Sequence, residues 1–302
     1  MKLVLLTLLV TAAIVAAENG VVVEFSGPSH RIELAADYPG DSPEIHAKIE
    51  GHSRDLKFSV DSGSSFTILD TRIAAEFGLK PNGEISMSGA GSGEVKTKLV
   101  KNVAFDLSGV RLRNVDVLIT DLSGLAEQGH SIDGIFGYDL FSKLVVTMDQ
   151  DLHKLILTDP ANFEYRGAGA VLPITFGGRR GKWIYVPATV RVPGIAPEKL
   201  QFFVDTGSSD AVDTELIKKS TAPLGKTQTG NGLGQPGSGV LGRIEWIKLG
   251  DFELRNTPSA CCGNPGNENM IGGAVLRRFI VTFEYSRKQM ILERGKRFKE
   301  PF

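Results

Sequence analysis

Two cysteines, adjacent at Cys261-Cys262, are all that this 302-residue chain carries. So few exclude a disulfide framework, and with five scattered histidines they give no zinc-ligand spacing. Neighbouring cysteines bridge each other only with strained backbone, so two buried or half-buried thiols beside a turn are expected. Charge of one sign is lacking as well. The formal net charge is −1, which leaves no basic excess for nucleic acid and no acidic recruiting tail. Long hydrophobic runs are missing beyond the N-terminus. There Lys2 precedes the apolar stretch Leu3 to Ala17, which ends in the small residues Val15-Ala16-Ala17. This is the pattern of a secretory signal peptide over residues 1–17, short for a spanning helix. Export to the periplasm or the exterior is therefore expected, with no stable membrane span after cleavage; an uncleaved N-terminal anchor is the alternative. No Gly-x-Ser-x-Gly elbow occurs, and Ser220 in "STAPLGKTQ" stands where a phosphate loop requires its first glycine.

What is abundant is glycine, at 35 residues, well above the usual share of about 7%. Short apolar runs bounded by Gly, Pro, Asn or Asp recur from residue 21 onward, among them "VVVEF", "EIHAKIEG", "LKFSV", "IYVPATVRV" and "FIVTFEY". Many short strands at such spacing predict an all-β sandwich or barrel. Two short helices are predicted, over Leu69–Gly78 with Asp70 as its cap and Gly78 as its stop, and over Val212–Ser220.

The order of these features repeats. "KFSVDSGSS" at 57–65 returns as "QFFVDTGSS" at 201–209, and each is followed by one of the two helices. Farther on, "GIFGYDLFSKLVVTMDQDLHKLILTD" at 134–159 returns as "MIGGAVLRRFIVTFEYSRKQMILER" at 270–294. An internal duplication accounts for this. It divides the chain into residues 18–165 and 166–302, two lobes of one architecture. Residues 18–42 fit either a short pro-segment or a first strand.

One Asp-Ser/Thr-Gly element by itself would mark a turn. Two at matching places, 144 positions apart, carry more weight. Each sets a carboxylate, Asp61 or Asp205, after a strand rich in Phe and Val, where an unpartnered charge is costly. If a twofold axis relates the halves, the two aspartates converge on it. Carboxylates a few ångströms apart cannot both ionise easily, so one keeps its proton, which yields a general base and a general acid from one residue type.

With these residues in place the chain resembles a bilobal aspartic protease of the pepsin and retroviral-protease superfamily. The resemblance rests on Asp61-Ser62-Gly63-Ser64 and Asp205-Thr206-Gly207-Ser208, and on the later elements Ile135-Phe136-Gly137 and Met270-Ile271-Gly272. It covers roughly residues 43–295 and is closer to bacterial duplicated retropepsin-like proteins than to eukaryotic pepsins. It implies an all-β fold of two acid-protease lobes with a cleft between them. A water activated between Asp61 and Asp205 would hydrolyse a peptide bond with no covalent intermediate and no cofactor or metal.

The resemblance also implies roles for the neighbours. Ser62 and Thr206 would bond across the dyad to the opposite loop, while Gly63 and Gly207 would let backbone approach the carboxylates. Ser64 and Ser208 would donate their hydroxyls to the outer carboxylate oxygens. Gly137 and Gly272 would pack behind the active-site loops. A substrate-covering flap would lie at Met87–Val95 and include Gly89, Ala90, Gly91, Ser92 and Gly93; the segment holds no tyrosine, unlike pepsin-like flaps. "GNGLGQPGSGV" at 230–240 fits a second flap or a plain loop. Asp210 fits a helix cap, and "GGRRGK" at 177–182 a solvated turn. The expected partner is a polypeptide substrate, bound by a monomer. The competing readings are a catalytically silent cleft that holds peptide or another polymer, and a structural β protein whose motifs are only turns.

Overall fold

The structure is a computed structural model and describes residues 20–87, 95–126, 131–178, 180–229, 237–261 and 269–302. The signal segment, the flap residues Gly89, Ala90, Gly91, Ser92 and Gly93, and Cys262 lie outside the described residues.

Alternation along the chain becomes a two-faced strand wherever one side meets a core. In the strand Trp183–Arg191, Ile184, Val186, Ala188 and Val190 are buried, while Trp183, Tyr185, Pro187 and Thr189 turn to the other face. Strands of this kind close into two barrels. The first runs through Leu56–Val60, Gly134–Phe136, Thr67–Asp70, Val110–Thr120, Val95–Asp106 and Glu44–Ile49, then back to Leu56–Val60. The second runs through Glu198–Val204, Met270–Ile271, Val212–Asp213, Phe252–Cys261, Gly237–Leu249 and Trp183–Arg191, then back to Glu198–Val204.

The two circuits agree joint by joint in direction. Leu56–Val60 is parallel to Gly134–Phe136, as Glu198–Val204 is to Met270–Ile271. Thr67–Asp70 is parallel to Val110–Thr120, as Val212–Asp213 is to Phe252–Cys261. The remaining joints are antiparallel in both. The fold is thus all-β and two-lobed, as the repeated sequence order requires.

A third sheet joins the lobes. Its six strands run in the order Ala170–Pro173, Gln289–Arg294, Phe279–Glu284, Val145–Asp149, Lys154–Thr158 and Arg31–Ala35. The halves meet where Val146, Thr147 and Met148 pair with Phe283, Thr282 and Val281. At that seam the Thr147 and Thr282 hydroxyls lie 2.8 Å apart, which marks the twofold axis. The strands Val22–Phe25 and Arg31–Ala35 pair with Val110–Thr120 and Lys154–Thr158, so this stretch is built into the sheets.

The helices are shorter than the sequence suggests. Asp70 does cap the first, accepting from the Arg72 N–H at 2.8 Å, but its helix is Thr71–Glu76 and Leu69 belongs to a strand. Gly78 follows at φ +61°, a stop suited to glycine. The second predicted helix is corrected more strongly. Val212–Asp213 is a strand, Glu215–Lys219 a 3-10 turn, and Thr214 rather than Asp210 is its cap. β-Branched Val212 and a sheet position between two ladders override the weak helical pattern there. Cys261, buried at the end of its strand, is disulfide-bonded, which corrects the expectation of free thiols at that residue.

The C-terminus is tied down by one buried cation. Arg278, 1% exposed, donates to the carbonyls of Arg297, Glu300 and Pro301, and its guanidinium lies 3.6 Å from the Phe302 ring centroid. Arg278→Leu is expected to lower stability by roughly 2–4 kcal/mol, because three acceptors lose a charged donor. A denaturant melt would read the loss, and an unchanged midpoint would mean the tail contributes nothing.

Candidate active site

The dyad is set by the strand ladders. The Asp61 N–H donates to Phe136 O at 2.9 Å and the Asp205 N–H to Ile271 O at 3.0 Å. Each aspartate is therefore held at a strand end by the apolar-apolar-Gly element of its own lobe. Across the axis the two loops interlock. The Ser62 N–H donates to Thr206 Oγ1 at 2.9 Å, and Thr206 Oγ1 donates to Val60 O at 2.8 Å. In return the Thr206 N–H donates to Ser62 Oγ at 3.1 Å, and Ser62 Oγ donates to Val204 O at 2.7 Å. Both hydroxyl residues are buried, at 2% exposure each. This reciprocal arrangement fixes the two carboxylates relative to each other.

Gly63 and Gly207 are glycine for want of room. A Cβ on Gly63 would fall 2.8 Å from the Asp205 Cγ, and one on Gly207 would fall 2.7 Å from the Asp61 Cγ. Their N–H groups donate to the carboxylate of their own lobe, Gly63 to Asp61 Oδ1 at 2.7 Å and Gly207 to Asp205 Oδ1 at 2.9 Å. Gly137 is packed against the Ser64 and Phe66 carbonyls, and Gly272 against the Asp210 carbonyl and the Ser208 hydroxyl. The backing role holds for both.

Burial pushes Asp61 above the ordinary aspartate range, with the Gly63 N–H pulling the other way. Asp205 is pushed much farther, first by burial and then by the charge of Asp61 beside it. Buried side by side, the two carboxyls titrate as one pair and hold a proton between them at a pH where an ordinary aspartate has lost its own.

The expectation for Ser64 and Ser208 is corrected. The Ser64 hydroxyl donates to Phe66 O at 2.8 Å, and the Ser208 hydroxyl accepts from the Asp210 N–H at 3.2 Å. It is the backbone N–H groups of Ser64 and Ser208 that favour the charged forms of Asp61 and Asp205. Serine hydroxyls reach local backbone groups two residues on as readily as a carboxylate, and the turn geometry decides between them.

The "GGRRGK" turn is not simply solvated. From the second lobe, Lys182 reaches over to the first, donating to Ser65 O at 3.0 Å with its ammonium 4.4 Å from the Phe66 ring and 5.0 Å from Tyr138. Arg180 lies 4.9 Å over the same Phe66 ring. Burial lowers the Lys182 ammonium, and the Asp139 charge opposes that shift. The pseudo-equivalent residue in the first lobe is Asp41, which reaches to the second and pairs with Arg277 at 3.2 Å. The equivalence follows from the ladders. Glu44 pairs with Ser59 and Tyr185 with Phe203, each partner two residues before its aspartate, so Asp41 and Lys182 occupy the same place. Two interlobe struts of opposite charge thus flank the dyad. The signal for them in sequence is only a charged residue just ahead of a strand, three positions before it for Asp41 and one for Lys182.

Both flap candidates have hairpin arms. Gly83–Met87 pairs antiparallel with Val95–Asp106, and Gly225–Thr229 with Gly237–Leu249; the connecting residues 88–94 and 230–236 lie outside the described residues. No cluster of three or more His, Cys, Asp or Glu able to hold a metal occurs among the described residues. None of their helices is long and apolar enough to cross a membrane.

Two β lobes that bring an aspartate each to a shared, cross-bonded loop pair have the acid-protease fold. Residues 45–140 match the family described as aspartyl protease, so that stretch is similar to a retropepsin-like aspartyl protease domain. It contains Asp61, Gly63 and Gly137. No curated protein matches the chain.

Proposed function

We propose that the protein is an aspartic endopeptidase with one dyad shared between the lobes. The observation that carries the reading is the reciprocal bonding of Ser62 and Thr206, which locks Asp61 and Asp205 side by side as a pair that shares a proton. In the proposed reaction the ionised member of the pair takes a proton from a water as its oxygen attacks the scissile carbonyl. The protonated member gives its proton to the carbonyl oxygen, so the charge developing in the transition state is met by a donor already in place. As the tetrahedral intermediate collapses, the proton taken from the water passes to the leaving amide nitrogen while the C–N bond breaks. A hydroxyl of the intermediate gives its proton to the other carboxylate, which restores the starting pair. No group of the chain becomes covalently attached.

The likeness of residues 45–140 to aspartyl proteases supports a polypeptide substrate. The composition of residues 1–17 supports export, with the catalysis taking place in the periplasm or outside the cell. The test is cleavage of denatured casein from acidic to neutral pH, with and without pepstatin. Pepstatin-sensitive cleavage is the expected result. A folded sample that cuts nothing at any pH would replace this reading with that of a silent peptide-binding cleft.

A further inference from the structure

The two lobes differ at one set of equivalent positions beside the dyad. In the first lobe Ile68 pairs with both Leu118 and Ile135, Leu118 pairs with Leu99, and Leu99 with Gly83. In the second lobe Asp213 pairs with both Ala260 and Met270, Ala260 pairs with Leu241, and Leu241 with Gly225. The ladders therefore equate Ile68 with Asp213, Leu118 with Ala260, Ile135 with Met270 and Leu99 with Leu241.

In the first lobe this set forms a small apolar cluster apart from the barrel core, between the Asp61 loop and the hairpin arm that carries Ile85. Ile68, Leu118 and Ile135 are buried there and fill the space with the chain's own side chains. Among the described residues, the second lobe does not repeat that filling at the equivalent positions. Leucine has become alanine at 260, isoleucine has become aspartate at 213, and Leu241 stands 43% exposed. One oxygen of Asp213, Oδ1, is closed off from solvent with no hydrogen-bond partner. Among the described residues no cation pairs with this carboxylate. Burial, with Asp210 adding like charge, pushes it up to about 7. Asp210 itself takes the place of Phe66, since each carbonyl backs the glycine of its lobe's later element, Gly272 or Gly137.

Asp213, in the ladder between Ala260 and Met270, is short of a positive charge that the described residues do not supply. We propose that Asp213 is a specificity determinant of the substrate cleft, the anionic floor of a pocket that takes a lysine or arginine side chain of the polypeptide. The aliphatic stem lies along Leu241 and Met270, and the charged head meets the carboxylate, as amphipathic side chains do when buried. The opposite side of the dyad, where Ile68 stands in the place of Asp213 within a filled cluster, offers no matching carboxylate. The cleft is then polar in sense, and a substrate binds it in one direction only. This inference rests on the endopeptidase reading for its location, while the pocket itself requires only that the cleft bind peptide.

The test uses a synthetic peptide library in which lysine is the sole basic residue, offered intact and with every lysine acetylated. Wild-type protein is expected to cut beside lysine on one constant side of the scissile bond, and acetylation to slow cleavage on the order of tenfold or more, since a site built for a polar group rejects the analogue lacking it. Asp213→Asn should erase the difference between the libraries. Ala260→Leu should erase it too, by refilling the pocket while leaving the carboxylate in place. If the wild type cuts neither library, the endopeptidase reading fails. The pocket is then judged by retention of the same libraries on immobilised protein, where intact lysyl peptides should be held and acetylated ones lost. Equal cleavage, or equal retention, of the two libraries overturns the proposal.

Discussion

Asparagine in place of either Asp61 or Asp205 is expected to cut peptide hydrolysis by about 10²–10⁴-fold, the usual contribution of a positioned acid or base. The two losses should be alike, and the double variant should lose little more, because one dyad acts as a unit. A fluorogenic peptide cut out of casein would give kcat/KM for each variant. Residual hydrolysis of more than a tenth in either single variant would rule out a shared dyad. The same variants report on stability with a sign fixed by the pKa directions. Both aspartates are raised in the folded state, so as pH rises past the ordinary aspartate value of 3.8 the unfolded chain sheds their protons first. Folding stability held below that value is then lost until the folded carboxyls ionise in turn. The asparagine variants escape this loss. Their melting temperatures should gain on the wild type between acidic and neutral pH, and the gap should narrow again below about pH 4. A gap that does not vary with pH would mean the pair is not strained by its charge.

The second large effect belongs to the interlobe bonding. Thr206→Val keeps the shape of the side chain but removes an acceptor for the Ser62 N–H and a donor to Val60 O, all within a buried loop pair. Two buried backbone groups left without partners cost about 2–5 kcal/mol together, a large share of the stability of most domains. Ser62→Ala does the mirror-image damage, to the Thr206 N–H and Val204 O. The pair of changes should be markedly less than additive, since the first already lets the loops separate. Urea unfolding of the single and double variants would measure the coupling. Activity should fall with stability held constant by cooling, because the carboxylates would no longer be fixed opposite each other. Full additivity would show that the two lobes do not depend on this contact.

Much of this was legible along the chain. The repeat of Asp-Ser/Thr-Gly-Ser and of the later apolar-apolar-Gly element named both aspartates and both backing glycines, because turn chemistry and strand period are local properties. The helix stop at Gly78 and the cap at Asp70 were readable for the same reason. The second predicted helix failed because Val212 and Asp213 lie between two ladders, and sheet partners far away in sequence outweigh a short helical pattern.

By itself, then, the sequence determined a duplicated β architecture, the identity of the two aspartates and the glycines that must lie beside them. Only the tertiary structure decided what each neighbour does once the halves face each other. It turned the Ser64 and Ser208 hydroxyls toward local backbone, carried Lys182 and Asp41 across the axis in opposite directions, and left Asp213 where its twin Ile68 closes a cluster. The physical reason is one of range. A residue's own turn or strand is fixed by its near neighbours, whereas its partner across a twofold axis depends on how the six-stranded joining sheet sets one lobe against the other.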